Sequence, residues 1–212
     1  MTSSTGRRAA LLLLARGAIA AALMPSLPVL AADADPAVAR IHAFYDVLLD
    51  TMKQASKTPV TARYAKLEPA VRATFDLAAM TRIAVGPAWT TIEPADQQAL
   101  LEQFGRFTIA TYANRFDGWS GERFDVDPAV ETRGANRIVH SALVRPKGDP
   151  VALSYLMRPA PDGGWKATDV YLSGTISELA TRRSEFGTLL KNGGAKALID
   201  SLRERSDKLL AG

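Results

Sequence analysis

Few residues in this chain have side chains that could carry out bond-making chemistry. There are two histidines, His42 and His140, and no cysteine. The missing cysteines exclude disulfides, thiol nucleophiles and thiolate metal sites together. Neither histidine has a second imidazole or a carboxylate at metal-ligand spacing, so no metal and no cofactor are expected and both read as ordinary structural histidines. The chain has no G-x-S-x-G, no phosphate-binding glycine loop and no H-E-x-x-H. One acid stands out: Asp169 interrupts TDVYL, a run that should be buried on one side. In a covered sheet it could transfer protons with Tyr155 as hydrogen-bond donor. The reading adopted is plainer, an edge or bulge aspartate paired with a basic residue such as Arg183.

Apolar and aromatic surface is the larger signal. Trp89, Phe104, Phe107, Tyr112, Tyr155, Met157 and Trp165 lie on segments that should converge on one face of a sheet. The same residue types either fill a core or line a cavity left incompletely filled. Sequence does not distinguish the two.

The elements that must position these residues follow from periodicity. Asp35 before Pro36 caps a helix with Ile41, Tyr45, Leu48, Leu49 and Met52 on one side. After Pro59 a second helix is interrupted in pattern by Pro69, and Asp76 caps a third that stops at Gly86-Pro87. A long helix from Pro94 carries the wide stripe Leu100, Leu101, Phe104, Phe107, Thr108 and Tyr112, so it should lie against something broad. The period then changes to short β-like runs, ERFDVDPA, AVETRG, NRIVHSALVRP, PVALSYLMRP and GWKATDVYLSG, separated by Pro/Gly/Asp turns. Alternation places Val139, Ser141 and Leu143 on one face, with Val151, Leu153, Tyr155 and Met157 on the next strand. Helices, then an antiparallel meander, then helix again read as an α+β fold with one sheet face covered.

The stretch ISELATRRSEFGTLL (176–190) sets Arg182, Arg183, Ser184 and Glu185 between apolar ends. Thr175 to Glu178 has the form of a capping box, and Glu178 precedes Arg182 by four residues in the favourable order. The helix should stop at Asn192-Gly193-Gly194, with one more amphipathic helix to follow. Leu179, Phe186 and Leu190 then face the core, and the polar strip faces solvent or a partner.

The N-terminus reads as a targeting segment. Arg7-Arg8 precede an apolar run with a small-residue exit at Ala31-Ala32, and Arg16, Pro25 and Pro28 argue for export against a membrane anchor. Residues 1–31 are expected to be cleaved, by a general or twin-arginine route, leaving a single domain over 32–212. Cleavage removes three of the 26 basic residues and none of the 22 acidic ones, lowering the net charge from +4 to +1. The basic pI therefore belongs to the leader, and no nucleic-acid partner is inferred from it.

The run WKATDVYLSGTISELATRRSEFGTLLKNGGAKALIDSL (165–202) resembles the C-terminal signature of the MlaC-like, or toluene-tolerance, periplasmic lipid-binding proteins. Its carriers are Trp165, Asp169-Val170, Gly174, Glu185-Phe186, Leu189-Leu190 and Gly193 or Gly194. FDLAAMTRIAVGPAW (75–89) and ATYANRFDGWSGERFDV (110–126) fit the same pattern, and their wording is most similar to the HpnM branch associated with hopanoids. The resemblance implies helices packed on one face of a curved antiparallel sheet with a hydrophobic cavity between, and no enzymatic activity. It implies a periplasmic carrier that shuttles a hopanoid or a phospholipid between inner and outer membranes. The partners it implies are an inner-membrane transporter or exporter subunit and an outer-membrane acceptor.

Face and aromatic content assign the cavity lining to Leu48, Met52, Trp89, Phe104, Phe107, Tyr112, Val139, Leu143, Leu153, Tyr155, Met157, Trp165, Val170 and Leu172. Arg182, Arg183 and Glu185 are assigned to partner docking, with reversal of Arg182 expected to spare lipid content and weaken handover. An adaptor with a filled core and no lipid, and a cavity enzyme acting on polycyclic lipids through Asp169, His140 or Tyr155, are the alternatives.

Overall fold

The computed structural model describes residues 35–212, and the expected leader over 1–31 lies outside the described residues. Helices α1 (Pro36–Gln54), α2 (Val60–Thr74), α3 (Leu77–Val85) and α4 (Pro94–Arg115) precede strands β1 (Arg123–Arg133), β2 (Asn136–Val144), β3 (Val151–Pro159), β4 (Trp165–Leu172) and β5 (Ile176–Ser177). Helix α5 (Glu178–Ala211) closes the chain. The strands form one antiparallel sheet in the order β1-β2-β3-β4-β5. This is the α+β arrangement expected, with helices against the sheet.

Helix α1 starts where the Asp35 carboxylate accepts the Ala37 amide proton at 2.8 Å and Pro36 supplies a pre-set φ at the first turn. Its buried residues fall at 37/38, 41, 44/45, 48 and 51/52, one stripe at helical spacing. The same Asp35 carboxylate ion-pairs with Arg137 on β2, which ties the helix start to the sheet. Helix α2 runs unbroken through Pro69. Pro69 and Ala65, whose carbonyl loses its partner, are both exposed, so water can replace the missing bond. The α2–α3 junction is fixed to the sheet by Asp76, whose amide donates to the Ala167 carbonyl at 2.9 Å beside a Phe75–Ala167 bridge.

Two runs expected to be separate strands form β1 together. Its pairing with β2 slips between Val126 and Val130, around Pro128, which has no amide proton for the ladder. A second irregularity sets Leu156 opposite Asp169 but Met157 opposite Ala167, so Thr168 is an extra residue on β4. It brings Ala167 and Val170 to the same face although they are three residues apart. Tyr155 pairs with Val139 on one side and Val170 on the other, and Leu153 pairs with Leu172.

The start of α5 differs from expectation. Ile176 and Ser177 pair with Leu172 and Tyr171 as the short strand β5, so the helix begins later than a Thr175 cap requires. Ser177 is the cap, its hydroxyl oxygen accepting from the Ala180 amide at 2.9 Å. The expected stop at Gly193-Gly194 is present as a break: Gly193 has φ −153°, ψ 15° and Gly194 has φ 64°, ψ −165°. Phe186, before the break, is buried edge-on to Phe104 of α4 at 6.2 Å between ring centres. Leu198, Ile199 and Leu202, after it, belong to the same core.

Candidate functional site

Between the helices and the sheet lies a cavity of about 110 Å³. The sheet contributes Phe124, Leu153, Tyr155, Val170 and Leu172, and α1 contributes Tyr45 and Leu48. Phe104, Phe107, Thr108, Thr111, Tyr112 and Arg115 come from α4, with Phe116 just beyond it. Phe75 and Met80 come from the α2–α3 region, and Glu178, Leu179 and Arg182 from α5. The lining is mainly apolar. Its charged groups, Arg115, Glu178 and Arg182, are on α4 and α5.

Aromatic packing shapes the walls. Tyr45 stacks on Phe124 with ring centres 4.1 Å apart, and Tyr112 stacks on Phe116 at 5.8 Å. Phe44 meets both Phe75 and Tyr112 edge-on at 5.3 Å. The Tyr45 hydroxyl lies 2.7 Å from Ser141 Oγ and 2.9 Å from the Tyr155 hydroxyl, and Ser141 Oγ donates to the Leu153 carbonyl at 3.0 Å. This chain of hydroxyls joins α1 to β2 and β3. Burial pushes the Tyr45 phenol up to about 12, against the lowering effect of its two hydrogen bonds. Burial likewise pushes Tyr155 and Tyr112 well above an ordinary phenol. All three therefore remain neutral at physiological pH.

Of the residues assigned to the lining from sequence, Leu48, Phe104, Phe107, Tyr112, Leu153, Tyr155, Val170 and Leu172 line this cavity. The other six lie elsewhere. Met52, Val139 and Met157 are buried in the core away from it. Trp165 lies at the far end of β4 beneath the Arg137 guanidinium, 4.2 Å from its ring centre. Trp89 sits in the short helical turn after α3, where its carbonyl accepts from Gln97 Nε2 at 2.8 Å. Leu143 pairs with Phe124 across β1 and β2, and only the phenylalanine reaches the cavity. Alternation identifies a face but not how far along it a cavity extends.

Lining residues that the sequence assignment missed include Tyr45, Phe75, Met80, Phe116, Phe124 and Leu179. Tyr45 shares the α1 stripe with Leu48, and Phe116 and Phe124 bracket the GWSG loop, so these three left a signal. Phe75 left none. It sits between two helices, where no period applies.

The polar strip on α5 divides. Arg182 turns inward, its guanidinium 4.8 Å from the Phe107 ring centre, 3.5 Å from Glu185 and 4.0 Å from Glu178. Arg183 and Glu185 are exposed, and Glu185 also meets Arg205 at 3.3 Å. The expected Asp169–Arg183 pair is not formed. Asp169 is buried and accepts from the Ser177 hydroxyl and the amides of Val170 and Leu179, whereas the Arg183 guanidinium lies over Gly86. Asp169 makes no hydrogen bond to Tyr155, whose hydroxyl is bonded to Tyr45. His42 is exposed; His140 is exposed too, with Nδ1 2.9 Å from Ser154 Oγ. Among the described residues no three His, Asp or Glu side chains gather where a metal ion could sit.

A family model described as MlaC protein matches residues 43–204. The chain belongs to the MlaC family. A solved structure of a phospholipid-binding protein from Ralstonia solanacearum, in complex with a phospholipid, is similar over 82% of this chain and 98% of that one. The two are 25% identical and superpose with a TM-score of 0.71. The similarity extends the MlaC assignment from sequence pattern to three-dimensional fold, including the helices set against an open five-stranded antiparallel sheet.

Proposed function

We propose that this MlaC-family chain is a periplasmic lipid carrier without catalytic activity. It holds the acyl or polycyclic part of a membrane lipid in the cavity between α1, α4, α5 and the sheet, and moves it between the inner and outer membranes. The observation that carries this reading is the cavity itself, walled by aromatic and aliphatic side chains beneath a small set of polar groups. Burial of apolar surface supplies the affinity, at roughly 0.8 kcal/mol for each methylene taken from water. Membership of the MlaC family and similarity to a protein solved with a phospholipid support the same class of cargo.

The cargo is a hopanoid, in keeping with the HpnM-like wording of the sequence, or a phospholipid. The partners are an inner-membrane transporter or exporter subunit and an outer-membrane acceptor. Arg183 and Glu185, exposed on α5 beside the cavity-lining Arg182, are the proposed docking strip. The leader over residues 1–31 directs export.

The test is mass spectrometry of lipids extracted from the protein purified from the periplasm of a hopanoid-producing host. Stoichiometric hopanoid supports the carrier and the hopanoid branch. Phospholipid keeps the carrier and assigns it the more general cargo. A folded protein with no lipid overturns the reading and leaves a transport-complex adaptor in its place.

A further inference from the structure

Among the described residues only two large apolar side chains are exposed, Trp119 at 47% and Ile176 at 56%. Both stand at the rim of the cavity. Trp119 lies in the loop between Phe116 and Phe124, two of the lining residues. Ile176 is paired across β4 and β5 with Leu172, a third. Residues opposite one another on antiparallel strands project from the same face of the sheet, so Ile176 is on the cavity side.

The cavity opens at this end. Val126, Ser141, Leu153, Leu172 and Ile176 are successive partners across the sheet, one row from β1 to β5. Near that row the lining residues Phe116, Phe124, Leu153 and Leu172 are only half-buried, whereas Phe75 and Phe104 deeper in are buried. Helix α1 fixes the direction: Asp35 before its start pairs with Arg137 near the start of β2, and Lys53 near its end lies 5.6 Å from the Trp119 ring centre. The Trp119 loop rests on the β2–β3 turn, where a Cβ added to Gly121 would lie 3.1 Å from Pro146 Cγ. Trp119 and Ile176 thus flank the mouth from the β1 and β5 sides, four strand spacings or roughly 19 Å apart.

Two apolar side chains at that separation do not form the contiguous core of a protein–protein interface. They suit a partner that is apolar wherever it is touched. Tryptophan partitions to the level where headgroups meet acyl chains, and lysine or arginine beside it keeps its charge in the headgroup layer. Lys53, Lys57, Arg115, Arg145 and Lys147 are exposed on the segments around the mouth and make no ion pair among the described residues. Asp117, Glu122 and Asp149 are the unpaired acids of the same segments, so five cations against three acids leave an excess of two positive charges. That sign suits a bilayer surface containing anionic lipid.

We infer that the Trp119 loop and the β5 residue Ile176 are paired lips that seat this end of the molecule on a lipid bilayer, with the cavity mouth facing the acyl layer. This rests on the carrier reading and goes beyond it: cargo is exchanged in contact with the bilayer itself, through lips separate from the exposed Arg183 and Glu185 of α5.

The experiment uses the folded mature chain as purified and sucrose-loaded vesicles of phosphatidylethanolamine and phosphatidylglycerol, with no other protein present. Wild type should sediment with the vesicles. Trp119→Ser and Ile176→Ser should each lower the partition coefficient about tenfold, the size of losing one large apolar side chain from the contact. Lipid co-purified with either variant should match wild type, because neither residue lines the cavity. With Trp89 and Trp165 replaced by Phe, Trp119 emission should shift to the blue on vesicles and be quenched by brominated acyl chains. Wild type that does not sediment, or two variants that bind as well as wild type, overturns the lips and leaves the carrier intact where lipid content is normal. Binding confined to protease-sensitive sites on native membranes assigns the lips to a membrane protein, and self-association lost in Trp119→Ser assigns them to a second copy; either result overturns the bilayer seat. Folded protein that carries no lipid yet binds vesicles through both residues removes the carrier reading alone and leaves the seat standing.

Discussion

Asp169 accepts the hydroxyl proton of Ser177 at 2.6 Å, and its other oxygen accepts the amides of Val170 at 2.8 Å and Leu179 at 3.2 Å. One buried carboxylate thus fastens the end of β4 to the start of α5. The helix N-terminus favours a negative charge there as well. Asp169→Ala should lower stability by about 2–3 kcal/mol, because three donors lose a charged acceptor. Arg183→Ala, which removes no partner of Asp169, should stay within about 0.5 kcal/mol of wild type. Urea denaturation of the two variants checks both values; equal losses would restore the Asp169–Arg183 pairing that the sequence suggested.

The Tyr45 hydroxyl chain sets a pH limit. A phenol whose folded value is about 12 and whose ordinary value is 10.0 keeps its proton in the folded state while the unfolded chain releases it. Its contribution is fully present below about pH 10 and falls away as pH rises toward 12. Tyr112 and Tyr155 shift in the same direction and add to the slope. Stability measured from pH 9 to 12 should fall, and Tyr45→Phe should flatten part of that decline. An unchanged slope in the variant would show that Tyr45 titrates as an exposed phenol.

Phe107 is buried in the cavity wall beneath Arg182. A carboxylate at this position meets apolar neighbours and whatever hydrocarbon the cavity holds. Phe107→Asp should reduce co-purified lipid by more than about tenfold. Trp165→Phe, outside the lining, should leave the lipid content as it is. Mass spectrometry of folded protein decides the matter, and undiminished lipid in the Phe107 variant would remove the cavity from the proposed function.

Docking is best tested at Arg183. Reversing Arg182 would set three acids together on α5 and disturb the cavity wall, so lost transfer would not separate docking from binding. Arg183→Glu changes an exposed charge. Lipid content should be retained and transfer to acceptor membranes bearing the partner complex should slow severalfold, more so at low salt. Equal transfer rates would remove Arg183 from the docking strip.

Much of this architecture is legible from local rules. Asp35, Asp76 and Gly86 mark helix ends because capping and positive-φ requirements act within a few residues. The stripe of α1 faces the sheet because a 3.6-residue period leaves it no other way to be buried, whereas the broad apolar surface of α4 packs mainly on α2, α3 and α5. What escapes local reading depends on pairing at a distance. Strand β5 exists only because Tyr171 and Leu172 offer an edge to Ile176 and Ser177, which moves the helix start away from the capping-box pattern at Thr175. Arg182 occupies a polar run that looks solvent-facing until Phe107, seventy-five residues earlier, provides a surface for its guanidinium. Trp165 has the composition of a lining residue, yet its position at the far end of β4 places it under Arg137.

The glycine pair in α5 makes a joint of what would otherwise be a single rod. Residues 178–192 carry Leu179 and Arg182 of the cavity wall, whereas Leu198, Ile199 and Leu202 seat the later half in the core. With Gly194 in a backbone region only glycine adopts readily, the hydrogen-bond ladder stops and bending stiffness with it. The chamber's 110 Å³ is well below the roughly 300–1,000 Å³ of pockets that enclose drug-sized molecules, so a two-tailed occupant must move a wall. Along that wall the glycine joint lies at one end and the Asp169 carboxylate at the other, with Phe186 seated against Phe104 between them.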